Sequence, residues 1–176
     1  MKKLMILFAT IFLLSLSSFA QTDDKLENIE YSNITEAGWF TGSFKSSALE
    51  ITTVNGFTLD PKNHFGLGIG IGTCNINTTE RNFYEDEYYG GLIFAYSPIF
   101  FNFRHYFSPE KYFSPQINIA VGGLFTNDGG GFYSSITGGF KGGAFSFSSG
   151  FSLMIVNYDD KTLTPFGFVL KIGFAF

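Results

Sequence analysis

The 176-residue chain carries 11 Lys and Arg against 15 Asp and Glu, a net charge of −4, and 45% of its residues are apolar. An acidic balance without a basic stripe excludes a nucleic-acid binder, and a single cysteine, Cys74, excludes an internal disulfide framework. Beyond the N-terminus no apolar run approaches the ~20 residues that a helical membrane span needs, which excludes a helical membrane protein.

Lys2 and Lys3 precede an apolar stretch over 4–14, and Ser18-Phe19-Ala20 places small residues where a signal peptidase reads. Residues 1–20 therefore read as a secretory signal peptide: the stretch is too short for an anchor, and no lipidation cysteine follows it. The polar, weakly patterned 21–36 reads as a short lead-in. From there, eight segments show the period-two alternation of strands separated by turn-rich stretches.

The first, 37–45, sets Phe40 and Phe44 against Trp39, Thr41 and Ser43. In the second, 48–57, Leu49, Ile51 and Phe57 oppose Glu50, Thr52 and Val54. After a turn at 60–63, Phe65, Leu67, Ile69 and Ile71 alternate with four glycines, Gly66, Gly68, Gly70 and Gly72. A polar loop is expected over 75–87, then a strand over 88–107 kinked at Pro98, since proline removes a ladder donor. The fifth strand puts Ile117, Ile119 and Val121 opposite Gln116, Asn118 and Ala120, and the sixth puts Phe132, Ile136 and Phe140 opposite Tyr133, Ser135 and Thr137. In the seventh, Phe145, Phe147 and Phe151 oppose Ser146, Ser148 and Ser152. The eighth, 164–176, has Phe166, Phe168, Ile172, Phe174 and Phe176 on one face and Gly167, Val169, Lys171 and Gly173 on the other.

Volume decides which face is inside. An eight-stranded barrel has room only for its own side chains, and the aromatic face is too bulky to fit there. It must point outward, where only lipid makes it acceptable, and the small, polar face with Glu50, Arg104 and Lys171 must line the lumen. Tyr88, Tyr89, Tyr96, Tyr133 and Tyr158 at one end and Tyr106 and Tyr112 at the other read as aromatic girdles. Phe101→Lys or Phe168→Lys should then impair insertion, while Ser148→Lys should be tolerated.

The expected architecture is an all-β, eight-stranded antiparallel up-and-down transmembrane β-barrel over 37–176. Ser97-Pro98-Ile99-Phe100-Phe101-Asn102-Phe103-Arg104-His105-Tyr106-Phe107, Phe113-Ser114-Pro115 and the closing Lys171-Ile172-Gly173-Phe174-Ala175-Phe176 give the chain its texture. It resembles the small outer-membrane β-barrel proteins of Gram-negative bacteria. That resemblance implies residence in the outer membrane with both termini periplasmic, contact with lipid and lipopolysaccharide, and insertion by the outer-membrane assembly machinery. The machinery would read the terminal strand at Phe174 and Phe176. The resemblance implies no catalytic activity.

The residues agree in offering little chemistry. The glycines of 66–72 recur at every second position, with Thr73 where G-x-G-x-x-G needs its last glycine, so they read as lumen spacers rather than a nucleotide loop. Glu80, Glu85, Asp86 and Glu87 form an acidic loop without fixed metal-ligand spacing, which reads as a surface contact element. Glu50, Arg104 and Lys171 read as a lumen charge network, because charges shielded from water should pair. No Ser, His and acid group at one site. The expectation is a monomeric, cofactor-free barrel with a structural or surface-interaction role; the alternatives are a narrow passive pore for small solutes and a lipid-modifying barrel enzyme.

Overall fold

The computed structural model describes residues 29–80, 88–127, 129–158 and 161–176; for 77–80, 88–91, 158 and 161 it gives the backbone alone. The signal-peptide reading of 1–20, the first half of the lead-in (21–28), and Glu85, Asp86 and Glu87 lie outside the described residues.

Alternation becomes nine strands: β1 (Glu30–Gly42), β2 (Ser46–Asp60), β3 (Asn63–Glu80), β4 (Tyr88–Tyr106), β5 (Phe113–Thr126), β6 (Gly130–Gly142), β7 (Phe145–Tyr158), β8 (Lys161–Leu163) and β9 (Phe166–Ala175). From β1 to β7 each pairs antiparallel with its neighbour in sequence. β8 and β9 lie along β7 in one continuous register, Val156↔Leu163 and then Leu153↔Phe166, and so form a single stave interrupted at Pro165. β9 also pairs with β1, from Ile34↔Ala175 to Gly42↔Gly167. The result is a closed eight-stranded antiparallel β-barrel, from which the far ends of β3 and β4 extend as a hairpin paired only with each other.

The two ends differ. Both the start of β1 and the end of β9 lie at one end, here the near end, with the connections at 61–62, 107–112 and 143–144. The far end carries the connections after β1, β3, β5 and β7.

Burial is inverted relative to a protein that hides its aromatics. The outward positions are large and apolar, with Phe101 74% exposed, while the lumen holds Arg104 at 0% and Lys171 at 2%. Cross-strand aromatic pairs cover the outer wall, including Phe145 on Phe174 and Phe151 on Phe166 at ring separations of 5.1 and 5.7 Å. The glycines of β3 make room inside: a Cβ on Gly68 would meet the Phe100 ring at 2.2 Å, and one on Gly72 the Tyr96 ring at 2.5 Å. Spacing read as small-for-large exchange is that exchange in space.

Four expectations change. β1 begins at Glu30, so 30–36 is strand rather than lead-in; its polar residues are there because they face the lumen or cross-strand partners, as Asn33 does toward Asn55. β3 likewise continues through 75–80, paired with 88–93, where a loop was expected. In β1 the faces are the reverse of the aromatic expectation: Phe40 is buried inside and Trp39 is exposed outside. Tyr96, Tyr106 and Tyr133 point into the lumen, so they belong to no girdle. The hydroxyls of Tyr96 and Tyr133 serve a buried carboxylate instead. At Pro98 the β3–β4 ladder stops after Ile69↔Ile99 and resumes at Gly72↔Tyr96 in the same register, so two rungs are lost at the proline without putting the pairing out of step.

The β1–β2 hairpin turns through Phe44 and Lys45, both left-handed at φ 58° and 47°, with Ser46 N–H donating to Ser43 O at 3.1 Å. That is a type I′ turn, whose two central positions favour Asn-Gly. A left-handed conformation costs an ordinary side chain about 1–2 kcal/mol. Replacing Phe44-Lys45 by Asn-Gly should therefore raise the midpoint of denaturant unfolding. An unchanged or lower midpoint would mean that the Phe44 side chain supplies compensating contacts.

Candidate functional site

The buried charges sit where four strands bring them together. Glu50 on β2 pairs with Gly38 on β1 and Gly72 on β3, and both neighbours lack side chains in its way. Lys171 on β9 also pairs with Gly38, from the other side. Across that gap Lys171 Nζ lies 3.1 Å from Glu50 Oε1. Tyr133 Oη donates to the same oxygen at 3.0 Å and accepts from Lys171 Nζ at 3.1 Å, and Tyr96 Oη donates to Glu50 Oε2 at 3.1 Å. Both carboxylate oxygens are thus served in a dry place, as a buried charge requires.

Arg104 does not join that group. Its Nη2 lies 3.1 Å from Glu36 Oε2, one lumen layer nearer the near end, as a coulombic contact rather than a linear hydrogen bond. Among the described residues the expected lumen network is therefore two separate ion pairs, Glu50–Lys171 and Glu36–Arg104. Glu36 escaped the sequence reading because the strand start was set after it. Its signal was available: Ile34, Glu36 and Gly38 continue the parity that carries Phe40.

Between and below the pairs the lumen is amide and hydroxyl. Asn102 Nδ2 donates to Asn118 Oδ1 at 2.6 Å. His64, next to the turn at 61–62, is fully buried, and Gln116 lies across from Tyr106. Above the pairs, toward the far end, the lumen turns apolar: Ala48, Cys74 and Phe94 sit side by side across β2, β3 and β4, and Ile76, Leu124, Met154 and Val156 join them in one buried cluster.

The mouth at the near end is a cavity of about 450 Å³ whose wall includes Glu30, Tyr106, Lys111, Ser114 and Lys141. Lys141 Nζ sits 4.8 Å over the Tyr106 ring, which suits a cation against an aromatic face. On the outer wall, an apolar depression of about 910 Å³ lies over the broken rungs at Pro98, between Leu49, Ile51, Ile71 and Ile99.

Of the other expected site residues, Glu80 is the last residue of β3, with backbone alone described. Phe174 and Phe176 both point outward with their rings 5.7 Å apart. Phe176 also closes the ring: its N–H donates to Asn33 O at 2.9 Å, and Asn33 N–H donates to its carbonyl oxygen at 3.0 Å. His105 Nδ1 lies 2.8 Å from Asn63 Oδ1, and His64 is enclosed in the lumen. Among the described residues, no group of three or more His, Cys, Asp or Glu is placed to hold a metal ion.

Compared with protein families, with curated proteins and with solved structures, the chain matches none.

Proposed function

We propose that this chain is an integral outer-membrane barrel whose task is structural or surface-interactive rather than catalytic. One observation carries the reading: a closed barrel that keeps two ion pairs inside and presents its phenylalanines outside. In water that outer wall would be an aggregation surface; in hydrocarbon it is the required one, and ring closure leaves no unpaired strand edge to the lipid. The export signal read at 1–20 and a terminal strand ending on outward Phe174 and Phe176 fit the same destination, with both termini on the periplasmic side.

The lumen geometry weighs against a pore, because the Glu50–Lys171–Tyr133–Tyr96 layer and the apolar cluster above it fill the cross-section. A lipid-modifying role would need a nucleophile and base exposed together at the wall. His64 is buried away from it, and His105 is engaged with Asn63. Surface contact falls to the far-end loop at 81–87, whose Glu85, Asp86 and Glu87, following Glu80, would meet lipopolysaccharide through bridging cations.

The test is fractionation of expressing cells, followed by gel mobility of the membrane fraction with and without boiling in detergent. The expected result is outer-membrane residence and a band that shifts on boiling. A soluble periplasmic protein would overturn the proposal. Unchanged lipid A by mass spectrometry, in cells with and without the gene, separates this role from the enzymatic one.

A further inference from the structure

We infer that the near mouth of the barrel binds a short zwitterionic peptide, its carboxylate held by Lys141 and Lys111 and its ammonium by Glu30. The inference rests on the shape and charge of one cavity, and its geometry holds whether or not the outer wall meets lipid.

Period-two alternation fixes what the near rim presents inward. Glu30 continues the parity of the lumen residues Ile34 and Glu36, and Lys141 that of Ser135 and Thr137. Thr58, Tyr106, Ser114 and Ala175 share the inward parity of their own strands. All six line the cavity of about 450 Å³, a volume within the range of about 300–1,000 Å³ of small-ligand sites. The room ends below them: His64 and Arg104, one lumen level deeper, are fully enclosed. At the top, Glu30, Lys111 and Tyr112 are exposed. The site is a shallow mouth.

Its charged side chains stand at opposite sides. Glu30 begins β1, whereas Lys141 lies near the end of β6, three staves away round the ring through β9 and β7. Lys141 pairs in register with Ser114, and Lys111, in the connection that leads into Ser114, adds a second ammonium on that side. Among the described residues, none of the three has an oppositely charged side chain within 4 Å. Lys141 Nζ instead stands 4.8 Å over the Tyr106 ring, a contact that holds the ammonium in place without neutralising it.

The lumen below closes its charges into pairs; the mouth keeps them apart. Glu30 repels a simple anion, and the two lysines repel a simple cation. Separated poles are complementary to a ligand that carries both charges, one at each end. A peptide is such a ligand. A single amino acid is not, because both its charges sit on one carbon, whereas each added residue lengthens a peptide by up to ~3.3–3.6 Å. The hydroxyls of Ser32 and Thr58 on the remaining wall suit its backbone amides, and Tyr106 and Tyr112 offer aromatic surface to its side chains.

Trialanine is the probe, with N-acetyl-trialanine and trialanine amide as forms that each lack one charge. Binding to the purified barrel, its fold verified by the boiling shift, is measured by isothermal titration calorimetry at low salt in a non-ionic detergent. The expected result is saturable binding of trialanine, weakened at least tenfold by acetylation or by amidation. Glu30→Gln should abolish the difference between trialanine and its acetylated form. Lys111→Gln with Lys141→Gln should abolish the difference between trialanine and its amide, and Lys45→Gln, in the far-end hairpin, should change neither. If the double variant does not fold, Glu30→Gln at the exposed rim decides alone. No saturable binding of trialanine to the folded barrel overturns the inference. Acetylated trialanine bound as tightly as trialanine also overturns it, since the mouth would then be a plain anion site. Discrimination that survives Glu30→Gln overturns it equally.

Discussion

Lys171→Met is expected to destabilise the folded barrel by about 3–5 kcal/mol, the cost of leaving one member of a buried ion pair without its partner. Glu50 would keep the hydroxyls of Tyr96 and Tyr133 but lose the cation 3.1 Å from its Oε1. Hydrogen bonds alone do not replace a counter-charge where water is excluded. Adding Glu50→Gln to Lys171→Met should recover most of the loss, because an uncharged amide oxygen still accepts from a tyrosine and no lone charge remains. Guanidinium unfolding of the detergent-folded protein, followed by tyrosine fluorescence, measures both. A single variant within about 1 kcal/mol of the parent would mean that bulk water screens Glu50.

Phe101→Lys should cost about 2–4 kcal/mol of folding free energy in a bilayer, because position 101 is the most exposed phenylalanine of the described outer wall and lies well inside β4. Phe113→Lys, at the near-end start of β5 and equally outward, should cost about 0–1 kcal/mol, since a lysine there reaches the headgroups. The comparison reads depth, which a generic loss of apolar surface would not show. Equal costs at the two positions would remove the lipid-facing interpretation of the wall. The lumen control expected from the sequence, Ser148→Lys, is unsuitable: Ser148 is 1% exposed and pairs in register with Lys171, so the new ammonium would lie beside an existing one.

How far the chain announces its own architecture depends on parity. Phe166 to Phe176 alternates without a break, and its faces, strand limits and lumen lysine all follow from that rhythm. The same holds for Ile99 to Tyr106, where Phe100 inside and Phe101 outside differ by nothing but position. β1 was harder. Phe40 is a large aromatic facing inward, with Gly42 leaving space beside its ring, and the alternation of aromatic residues does not reveal that exchange.

The charge network shows the same division. Glu50, Arg104 and Lys171 were legible as lumen residues, but which charges meet is set by strand stagger, and stagger places Arg104 beside Glu36 and not beside Glu50. Tyrosines were misleading for a related reason. A tyrosine near a strand end suits an interface belt, yet Tyr96 and Tyr133 are held inside by the carboxylate they serve.

The seam between Asn33 and Phe176 has a consequence for time as well as for shape. Every other strand pairing joins neighbours along the chain, whereas β1 and β9 meet only after the whole intervening polypeptide has been brought round. The entropy of that encounter must be met before its hydrogen bonds form, and such long-range pairing slows folding. Hairpins can zip successively while the ribbon remains open, its two edges unpaired. Ring closure is then the last pairing to form, and the Asn33–Phe176 backbone pair lies at the near-end limit of that seam.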